Sequence, residues 1–481
     1  MREDWIEGKL VDMLDYIQPS KYIVDSTEYN DKYKVPVLTA GKSFILGYTN
    51  EEHNIFSDVP VIIFDDFTTA TKLVNFKFKV KSSAMKILIP TCKYVNIKYV
   101  FYYMQTIKHN IDTHKRYWIS IFSKLPIKLA PLPEQRAIVN KIEELFSELD
   151  NGIDNLNKAK DKLEIYRQAL LKKAFEGELT KEWREKQTDL PSAEDLLEQI
   201  KNEREKFYKK QLDEWKVVVK DWEKKGEESK KPTKPKFRDF QSVVEGKDTL
   251  ELPDLPELWI YNFLAYFGEL GRGKSKHRPR NDKLLFGGKY PFIQTGEVKA
   301  QDVITNYSQT YSEFGLSQSK LWPKGTLCIT IAANIAETGF LGMDACFPDS
   351  VVGFTPFESI VDNRYIDYFF KFAKAKINSW APATAQKNIN LNILENIIIP
   401  YCSLKEQLKV VEEIESRLSV CDNIIENIEA GLEKAEALRQ SILKKAFEGS
   451  LLYKKELELC KKEPDWEPAE KLLERIKNEN K

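Results

Sequence analysis

The sequence predicts an α+β fold: two mixed α/β domains joined by two long helices that form an antiparallel coiled coil, with a pseudo-twofold internal repeat. Three observations predict it. A long segment occurs twice at a constant spacing, that segment carries a heptad pattern, and the rest of each half contains short strand-like and helix-like runs. A chain of 481 residues is also too long for a single core.

The repeat is the clearest of these observations. Residues 134–177 align without gaps with residues 406–449 at an offset of 272, and 21 of the 44 pairs are identical, including LKKAFEG in both copies. Downstream, AEDLLEQIKNE at 193–203 matches AEKLLERIKNE at 469–479 in nine of eleven positions. Each half of the chain therefore has a variable block followed by a constant block.

The constant blocks predict long helices that need a partner. Apolar residues recur every seven positions in the first block, at Ile142, Leu149, Leu156, Leu163 and Leu170, and again in the second, at Ile414, Cys421, Ile428, Ala435 and Ile442. Most alternate positions of the first block are also apolar: Ile138, Leu145, Ala159 and Tyr166. Each helix would be a rod of roughly 65 Å. We expect the two rods to pair antiparallel, although Gly152 and Gly431 interrupt the seam; two separate surface helices are the alternative.

The variable blocks predict mixed domains, because β-branched runs such as VPVIIF at 59–64 and TLCITI at 326–331 are separated by Gly, Pro and Asn. A stretch with many Lys and Glu separates the first rod from the second variable block, which predicts a helical arm and a linker. The expected organisation is a first variable domain at 1–130, a spacer helix at 131–180, the arm and linker at 181–250, a second variable domain at 251–401, a spacer helix at 402–450 and a helical tail at 451–481.

Composition excludes several classes of protein. No apolar run is long enough for a membrane span, and MREDWIEGKL at the start has no apolar signal region, so we expect a cytoplasmic protein. The six cysteines form no C-x-x-C pair and there are four histidines, so neither a metal site nor a cofactor is predicted. Lys plus Arg equals Asp plus Glu at 74 each, so any surface for nucleic acid must arise by local segregation of charge.

Several motifs resemble the specificity subunit of Type I restriction-modification systems. They are PLPEQRAIVNKIEELF at 131–146, ALLKKAFEGELT at 169–180, YPFIQTGEV at 290–298, TAQKNINLNILENIIIP at 384–400 and SILKKAFEGSL at 441–451. The resemblance covers essentially the whole chain. The second copy departs from the pattern where it reads YCSLKEQ at 401–407, in place of the PLPEQ of the first copy.

The resemblance implies a subunit that recognises DNA and does no chemistry itself. In such a protein the two variable domains are target-recognition domains, and each reads one half of a bipartite double-stranded DNA site. The two helices set the spacing between the halves. The implied partners are two methyltransferase subunits and, in the restriction complex, two restriction or translocase subunits.

Two basic clusters, one in each variable domain, are the candidate DNA contacts. Lysines and arginines can neutralise phosphates, and arginines also reach guanine in the major groove. The candidate cations are Lys72, Lys77, Lys79 and Lys81 in the first domain and Arg272, Lys274, Lys276, Arg278 and Arg280 in the second. Polar loop residues that could read bases are Thr39, Lys42, Gln294, Thr295, Gln386, Lys387 and Asn388. A solvated charged face, or a turn hydrogen bond, is the alternative for each of them.

Other functions are suggested by weaker patterns. GELGRGKS at 268–275 matches a phosphate-binding loop, but Pro279 would break the helix that must follow it. An adenine methyltransferase would, by analogy, need an Asn/Asp-Pro-Pro-Tyr/Phe tetrapeptide, and the sequence has none. A P-loop ATPase and a coiled-coil scaffold without DNA contacts are thus the alternatives to a DNA-recognition subunit.

Overall fold

The computed structural model describes residues 2–39, 44–107, 117–224, 231–237, 253–379 and 389–479. The candidate residues Lys42, Gln386, Lys387 and Asn388 lie outside this part of the chain. The chain folds into two compact units, one of Met1–Ala159 with Glu426–Lys481 and one of Lys160–Ile425. Each long helix therefore contributes residues to both units.

The strands of the described residues are short. In the first unit they are Ile6–Lys9 (β1), Leu14–Ile17 (β2), Val35–Leu38 (β3), Ile45–Thr49 (β4), Val61–Asp65 (β5), Thr71–Val74 (β6), Lys79–Val80 (β7), Met85–Pro90 (β8) and Pro126–Leu129 (β9). In the second unit they are Ile260–Phe263 (β10), Gly268–Arg272 (β11), Phe286–Phe292 (β12), Val303–Ile304 (β13), Gln309–Tyr311 (β14), Leu327–Thr330 (β15), Thr338–Leu341 (β16), Val351–Pro356 (β17) and Ile398–Tyr401 (β18).

Three helices are much longer than the rest: Leu132–Phe175 (α4), Ala193–Lys224 (α6) and Leu404–Glu448 (α11). The shorter helices are Leu10–Met13 (α1), Ile97–Met104 (α2), Tyr117–Ser120 (α3), Lys181–Arg184 (α5), Thr295–Ala300 (α7), Glu313–Ser317 (α8), Asn363–Ser379 (α9), Leu391–Glu395 (α10), Lys454–Lys461 (α12) and Ala469–Glu479 (α13). No helix in the described ranges is both long and apolar enough to cross a bilayer.

The two variable domains share a sheet topology. In the first unit the order is β2-β8-β5-β6, and all neighbours are antiparallel. In the second unit the order β11-β17-β15-β16 is again antiparallel throughout, and β13 adds a parallel edge strand. The first and last strands of each domain also pair, β1 with β9 and β10 with β18, just before a long helix begins. The internal repeat thus extends into blocks whose sequences are only loosely alike.

The core of each unit joins a variable domain to both long helices. In the first unit, Ile138 and Ile142 near the start of α4 belong to the same buried cluster as Phe447 near the end of α11. In the second unit, Phe175 near the end of α4 shares a cluster with Ile414 near the start of α11. The helices therefore run antiparallel in both units. The predicted fold class is confirmed.

A pair of equivalent ion pairs links the two helices. Asp150 of α4 pairs with Arg439 of α11 in the first unit, and Arg167 of α4 pairs with Asp422 of α11 in the second. Asp150 and Asp422, and likewise Arg167 and Arg439, are related by the offset of 272, so the repeat forms the same interhelical ion pair once in each unit. The predicted seam is imperfect: Tyr166, expected at an alternate core position, is 44% exposed.

Both long helices begin in the same way. The side-chain amide of Gln135 donates to the carbonyl of Ala130 at 2.8 Å, and that of Gln407 donates to the carbonyl of Cys402 at 2.8 Å. Both glutamines are buried. The different letters of YCSLKEQ therefore leave the start of the second helix unchanged.

The glutamate before each of these glutamines is also buried and is held by an arginine from a different part of the chain. Glu134 accepts from the indole of Trp5 at 3.1 Å and pairs with Arg2 at 3.5 Å. Glu406 accepts from Thr180 at 2.7 Å and from Arg184 at 2.6 Å. The two arginines are not equivalent in sequence, yet each secures the start of one long helix.

The second sequence echo has the same structural basis in both units. Leu472 and Ile476 of α13 are fully buried in the core of the first unit, and Leu196 and Ile200 of α6 are fully buried in that of the second. Each helix with the shared sequence thus completes the core of one variable domain.

Candidate nucleic-acid interface

The topology places the loops of each variable domain at one edge of its sheet. In the first unit, the end of β5 lies beside the starts of β6 and β8, because Asp65 is opposite Met85 and Phe64 is opposite Thr71. We call residues 66–72 and 81–85 the first edge. In the second unit, the end of β15 lies beside the start of β17 and the end of β11. We call residues 272–280, 331–338 and 345–351 the second edge. The two edges occupy equivalent positions in the two sheets.

Two of the predicted lysines lie at the first edge, together with a predicted polar residue. Lys72 is the second residue of β6, and Lys81 follows β7; both are exposed. The backbone N–H of Lys81 donates to the carbonyl of Leu38 at 2.9 Å, so Thr39, the next residue, lies beside Lys81. The side chains of this edge can present two positive charges next to a hydroxyl.

The other two lysines of the first cluster lie elsewhere. Lys79 is fully buried and its Nζ pairs with Glu51, so it cannot contact a phosphate in this structure. Partial burial alone would raise the pKa of Glu51, but hydrogen bonds from Lys79 and from the backbone of Ser26 and Asp25 hold this pKa below its usual value. Lys77 is exposed, but it comes after the last residue of β6, whereas Lys72 lies near the first residue of that strand. Lys79 was a candidate because it belongs to a local cluster of lysines, and that cluster does not show the pairing with Glu51, which lies 28 residues away in the chain.

The basic residues of the second cluster follow β11 and lie at the second edge. Arg272 is the last residue of β11, opposite Val352 of β17, and Lys274 and Lys276 come directly after it; all three cations are exposed. The backbone of this loop is held in place: Ser319 donates to the carbonyl of Lys274 at 2.9 Å. An ordered loop can present its cations without a large loss of entropy on binding.

Asp349 fixes two arginines of this loop, and no pattern in the sequence predicted this role. The guanidinium of Arg272 donates to the backbone carbonyl of Asp349, and Arg280 donates to its carboxylate at 2.7 Å. Arg278 instead donates to the backbone carbonyls of Ser275 and His277, at 2.6 and 2.8 Å. Asp349 lies more than 60 residues from either arginine, so the pairing depends on the tertiary fold.

Most of the cations at the second edge carry charge that no carboxylate neutralises. Within the described residues, Arg280 forms an ion pair, whereas Arg272, Lys274, Lys276 and Arg278 form none with an acid. These four side chains are exposed. A group of unneutralised cations at one edge of a sheet is the arrangement that attracts phosphates.

Gln294 and Thr295 lie beside the segment that leads into β17. They follow β12, and the backbone N–H of Ile293 donates to the carbonyl of Cys346 at 2.8 Å. The side-chain amide of Gln294 donates to Gln309 at 3.0 Å and is exposed. The structure therefore brings the predicted polar loop of the second domain close to the second edge.

The possible phosphate-binding loop has a different structure. The first five residues of GELGRGKS form strand β11, and the stretch after Lys274 contains bends and turns instead of a helix. A side chain on Gly271 would overlap the ring of Trp322, and one on Gly273 would overlap the backbone of Pro348. The glycines are thus needed for close packing, and the geometry that a P-loop requires is absent from this described segment.

The comparisons with known proteins agree on one family. The family model of the Type I restriction modification DNA specificity domain matches residues 2–164 and 256–435. The specificity subunit of the Escherichia coli Type I restriction enzyme EcoR124I/EcoR124II is 44% identical over 198 residues, which are 38% of this chain and 46% of that protein. The specificity subunit of the Escherichia coli enzyme EcoBI is 23% identical over 335 residues, which are 68% of this chain and 58% of that protein. The chain spans about half the length of these curated relatives.

A solved structure has the same fold. A chain from a study of complex assembly and conformational transition of the type I R-M system superposes with a TM-score of 0.63 and 14% identity. The match covers 94% of this chain and 99% of that one. At this identity the likeness establishes the fold alone.

Proposed function

This chain belongs to the family of the Type I restriction modification DNA specificity domain, and we propose that it is the DNA sequence-specificity subunit of a Type I restriction-modification complex. Each variable domain would be a target-recognition domain that reads one half of a bipartite double-stranded site. The observation that carries this proposal is the repeated sheet, which places basic loops at an equivalent edge in both units.

We assign the two edges to the two halves of the DNA site. The first edge offers Lys72, Lys81 and Thr39, and the second offers the exposed cations around Arg272 and the amide of Gln294. Lysines and arginines that touch phosphates fix the protein on the duplex, while a Gln amide or an Arg guanidinium can read base edges. The loops of the two domains differ in sequence but occupy equivalent positions, which suits recognition of two different half-sites.

We assign the paired helices two tasks, the spacing of the halves and the docking of partners. The helices run antiparallel in each unit and are tied to each variable domain through its core. A paired rod would convert helix length into distance along DNA. Its exposed faces are available for two methyltransferase subunits and, in the restriction complex, two restriction or translocase subunits. We place the complex in the cytoplasm, where chromosomal DNA is its substrate.

We assign the chemistry to these partners and none of it to this chain. The candidate residues are cations and amides, which bind and orient DNA, and no catalytic acid, base or nucleophile is part of the proposal. Neither a metal nor a cofactor is included.

A methylation map tests the proposal. We would co-express the chain with its neighbouring methyltransferase subunit in a host without DNA methylation and map modified adenines by single-molecule sequencing. The expected result is one motif of two short halves separated by a fixed spacer, absent when the chain is omitted. Modification without this chain, or at an uninterrupted motif, would refute the specificity role.

Substitutions at the second edge test the assignment of half-sites. Lys274→Glu with Lys276→Glu should reduce modification at the mapped sites, because each reversal replaces a phosphate attraction with a repulsion. A matched control places the same change on exposed lysines of the tail, Lys454→Glu with Lys455→Glu, and should leave the map unchanged. Equal losses from both pairs would show that charge reversal acts through stability and not through the second edge.

A further inference from the structure

Helix α6 extends well beyond the part that completes the core of the second unit. Leu196 and Ile200, near its start, are buried in that core, whereas the C-terminal half carries a series of exposed lysines. The family resemblance does not require so long an arm, and the proposed function gives this half no task. The C-terminal half of α6 is therefore a charged, exposed surface to which the proposed function gives no role.

The lysines form one stripe on the outward face of the helix. At 3.6 residues per turn, Lys209, Lys216, Lys220 and Lys224 lie within an arc of about 80°. All four are exposed, and among the described ion pairs only Lys216 has a carboxylate partner, Asp213 at 2.8 Å. We call these four residues the lysine stripe. It is about 22 Å long.

The electrostatics of the stripe are positive despite this one acid. The pKa of Asp213 is lowered by its hydrogen bond with Lys216, by the charge of Lys216, and by the charge of Lys209 one turn earlier. Glu205 and Glu223 flank the stripe at its two ends. The ion pair between Lys216 and Asp213 leaves Lys209, Lys220 and Lys224 as the cations of the stripe without an acidic partner among the described residues.

The opposite face of the helix holds it rigidly. The indole N–H of Trp215 donates to the carbonyl of Pro232 at 3.0 Å, and the rings of Tyr208 and Phe237 lie 5.0 Å apart. Lys231 lies over the ring of Trp222 at 5.8 Å. Residues 231–237 therefore pack back along the helix and keep the lysine stripe turned outward.

The middle of α6 lies beside strand β11. The guanidinium of Arg204 lies 4.1 Å from the ring centroid of Tyr266, just before β11. Further along the helix, Gln211 lines a cavity of about 180 Å³ together with Leu270, inside β11. These residues place the middle of α6 beside β11, the strand that ends at Arg272 of the second edge.

The composition of the stripe suits a phosphate backbone better than a protein surface. Protein interfaces are poor in lysine at their centres and need buried aromatic or apolar anchors. The exposed Val217 and Val218 lie off the stripe and are not such anchors. Lysine is a compact cation that binds phosphates as a point charge, and DNA carries one charge per about 3.4 Å of each strand.

We infer that the lysine stripe of α6 binds the phosphate backbone of duplex DNA next to the half-site of the second domain, without reading bases. The inference rests on the proposed function, which brings DNA to the second edge. The stripe would add affinity that is independent of sequence and sensitive to salt. It would leave the recognised motif unchanged.

The test uses the full chain, purified together with its methyltransferase subunits. Lys→Gln at all four positions of the stripe is compared with the unsubstituted chain by fluorescence anisotropy between 50 and 200 mM KCl. One duplex carries the mapped motif and a second is a scrambled duplex of equal length. We expect the slope of log affinity against log salt to become shallower by about two to four units. At about 100 mM salt, binding to both duplexes should weaken by a similar factor of about 10 to 100, so that their ratio is kept.

Two control variants test whether the charge of the stripe, and not another property of these side chains, causes the change in DNA binding. Lys→Arg at the same four positions keeps the charge and should keep the slope. Glu205→Gln with Glu223→Gln removes the flanking acids and should tighten both complexes, which a merely structural role of the helix would not do. Circular dichroism of each variant checks that α6 remains folded.

The outcomes separate this inference from the proposed function. An unchanged slope in the Lys→Gln variant would overturn the inference, and so would loss of the methyltransferase subunits with an unchanged slope, which would identify the stripe as a protein docking site. Equal binding of both duplexes by the unsubstituted chain would contradict the proposed function, whereas a slope that depends on the stripe would still support the inference.

Discussion

A paired deletion of one helical turn would shorten the spacer of the recognised DNA site. Asp150 pairs with Arg439, and Leu156 lies next to Gly431, so residues 151–154 of α4 lie level with 435–438 of α11. Removal of both segments shortens the rod by about 6 Å and turns its ends by about 40°. Two base pairs of DNA are about 6.8 Å long and turn by about 70°. The remaining mismatch of about 30° is small enough for DNA torsion to absorb.

We therefore expect a spacer that is two base pairs shorter, with both half-sites unchanged. The assay is the same methylation map, made with the deleted chain in the same host. The control replaces the six residues of these segments that are not already alanine with alanine, without deletion, and should keep the original spacer. An unchanged spacer in the deleted chain would refute the idea that the paired helices act as a ruler. A changed half-site would show that the helices also take part in reading bases.

Three further substitutions test the frame that holds the edges. Gly271→Ala should lower the free energy of unfolding by about 1 to 3 kcal/mol because its Cβ would overlap Trp322, whereas Gly296→Ala, with open space around it, should be nearly neutral in chemical denaturation. Glu406→Ala should lower the unfolding free energy by about 3 kcal/mol, since it leaves the largely covered guanidinium of Arg184 without its carboxylate; a Glu406→Gln variant as stable as the parent would argue against an ionic contribution. Burial raises the pKa of Glu134, so its protonated form stabilises the fold at low pH, and this contribution is lost as the pH rises through that pKa. Glu134→Gln should therefore gain stability relative to the parent between pH 4 and 7. A stability difference between the two proteins that does not change with pH would contradict this.

The sequence predicted the parts of the fold that are periodic. The repeat predicted the two long helices and their antiparallel pairing, and the equivalent ion pairs Asp150–Arg439 and Arg167–Asp422 confirm that geometry. It did not predict that Tyr166 would be exposed, because a heptad describes positions on one helix whereas the buried face depends on how two helices approach. The sequence also did not predict that the two sheets share a strand order, because strand pairing joins residues that are far apart in the chain.

The candidate site was predictable only as loops. A run of lysines identified the basic loop of the second domain, but the sequence could not show that Asp349 would hold two of its arginines. In the first domain the same reasoning included Lys79, which is buried against Glu51. Charge along the chain is visible in a sequence, whereas the carboxylate that neutralises a given cation is set by tertiary contacts.

The division between variable and constant blocks has a physical cause in this fold. The residues that tie each domain to the helices are buried: Gln135 and Gln407 bond the backbone before each helix, and LKKAFEG supplies core residues such as Phe175 and Phe447. These contacts lie at the helix ends, away from the exposed loops. A substitution in an exposed loop changes which groups contact DNA and leaves these buried contacts intact. A substitution at one of the buried contacts would instead disturb the position of the domain that it ties to the helices. Such a chain can acquire loops that recognise different half-sites while its paired helices keep the same length.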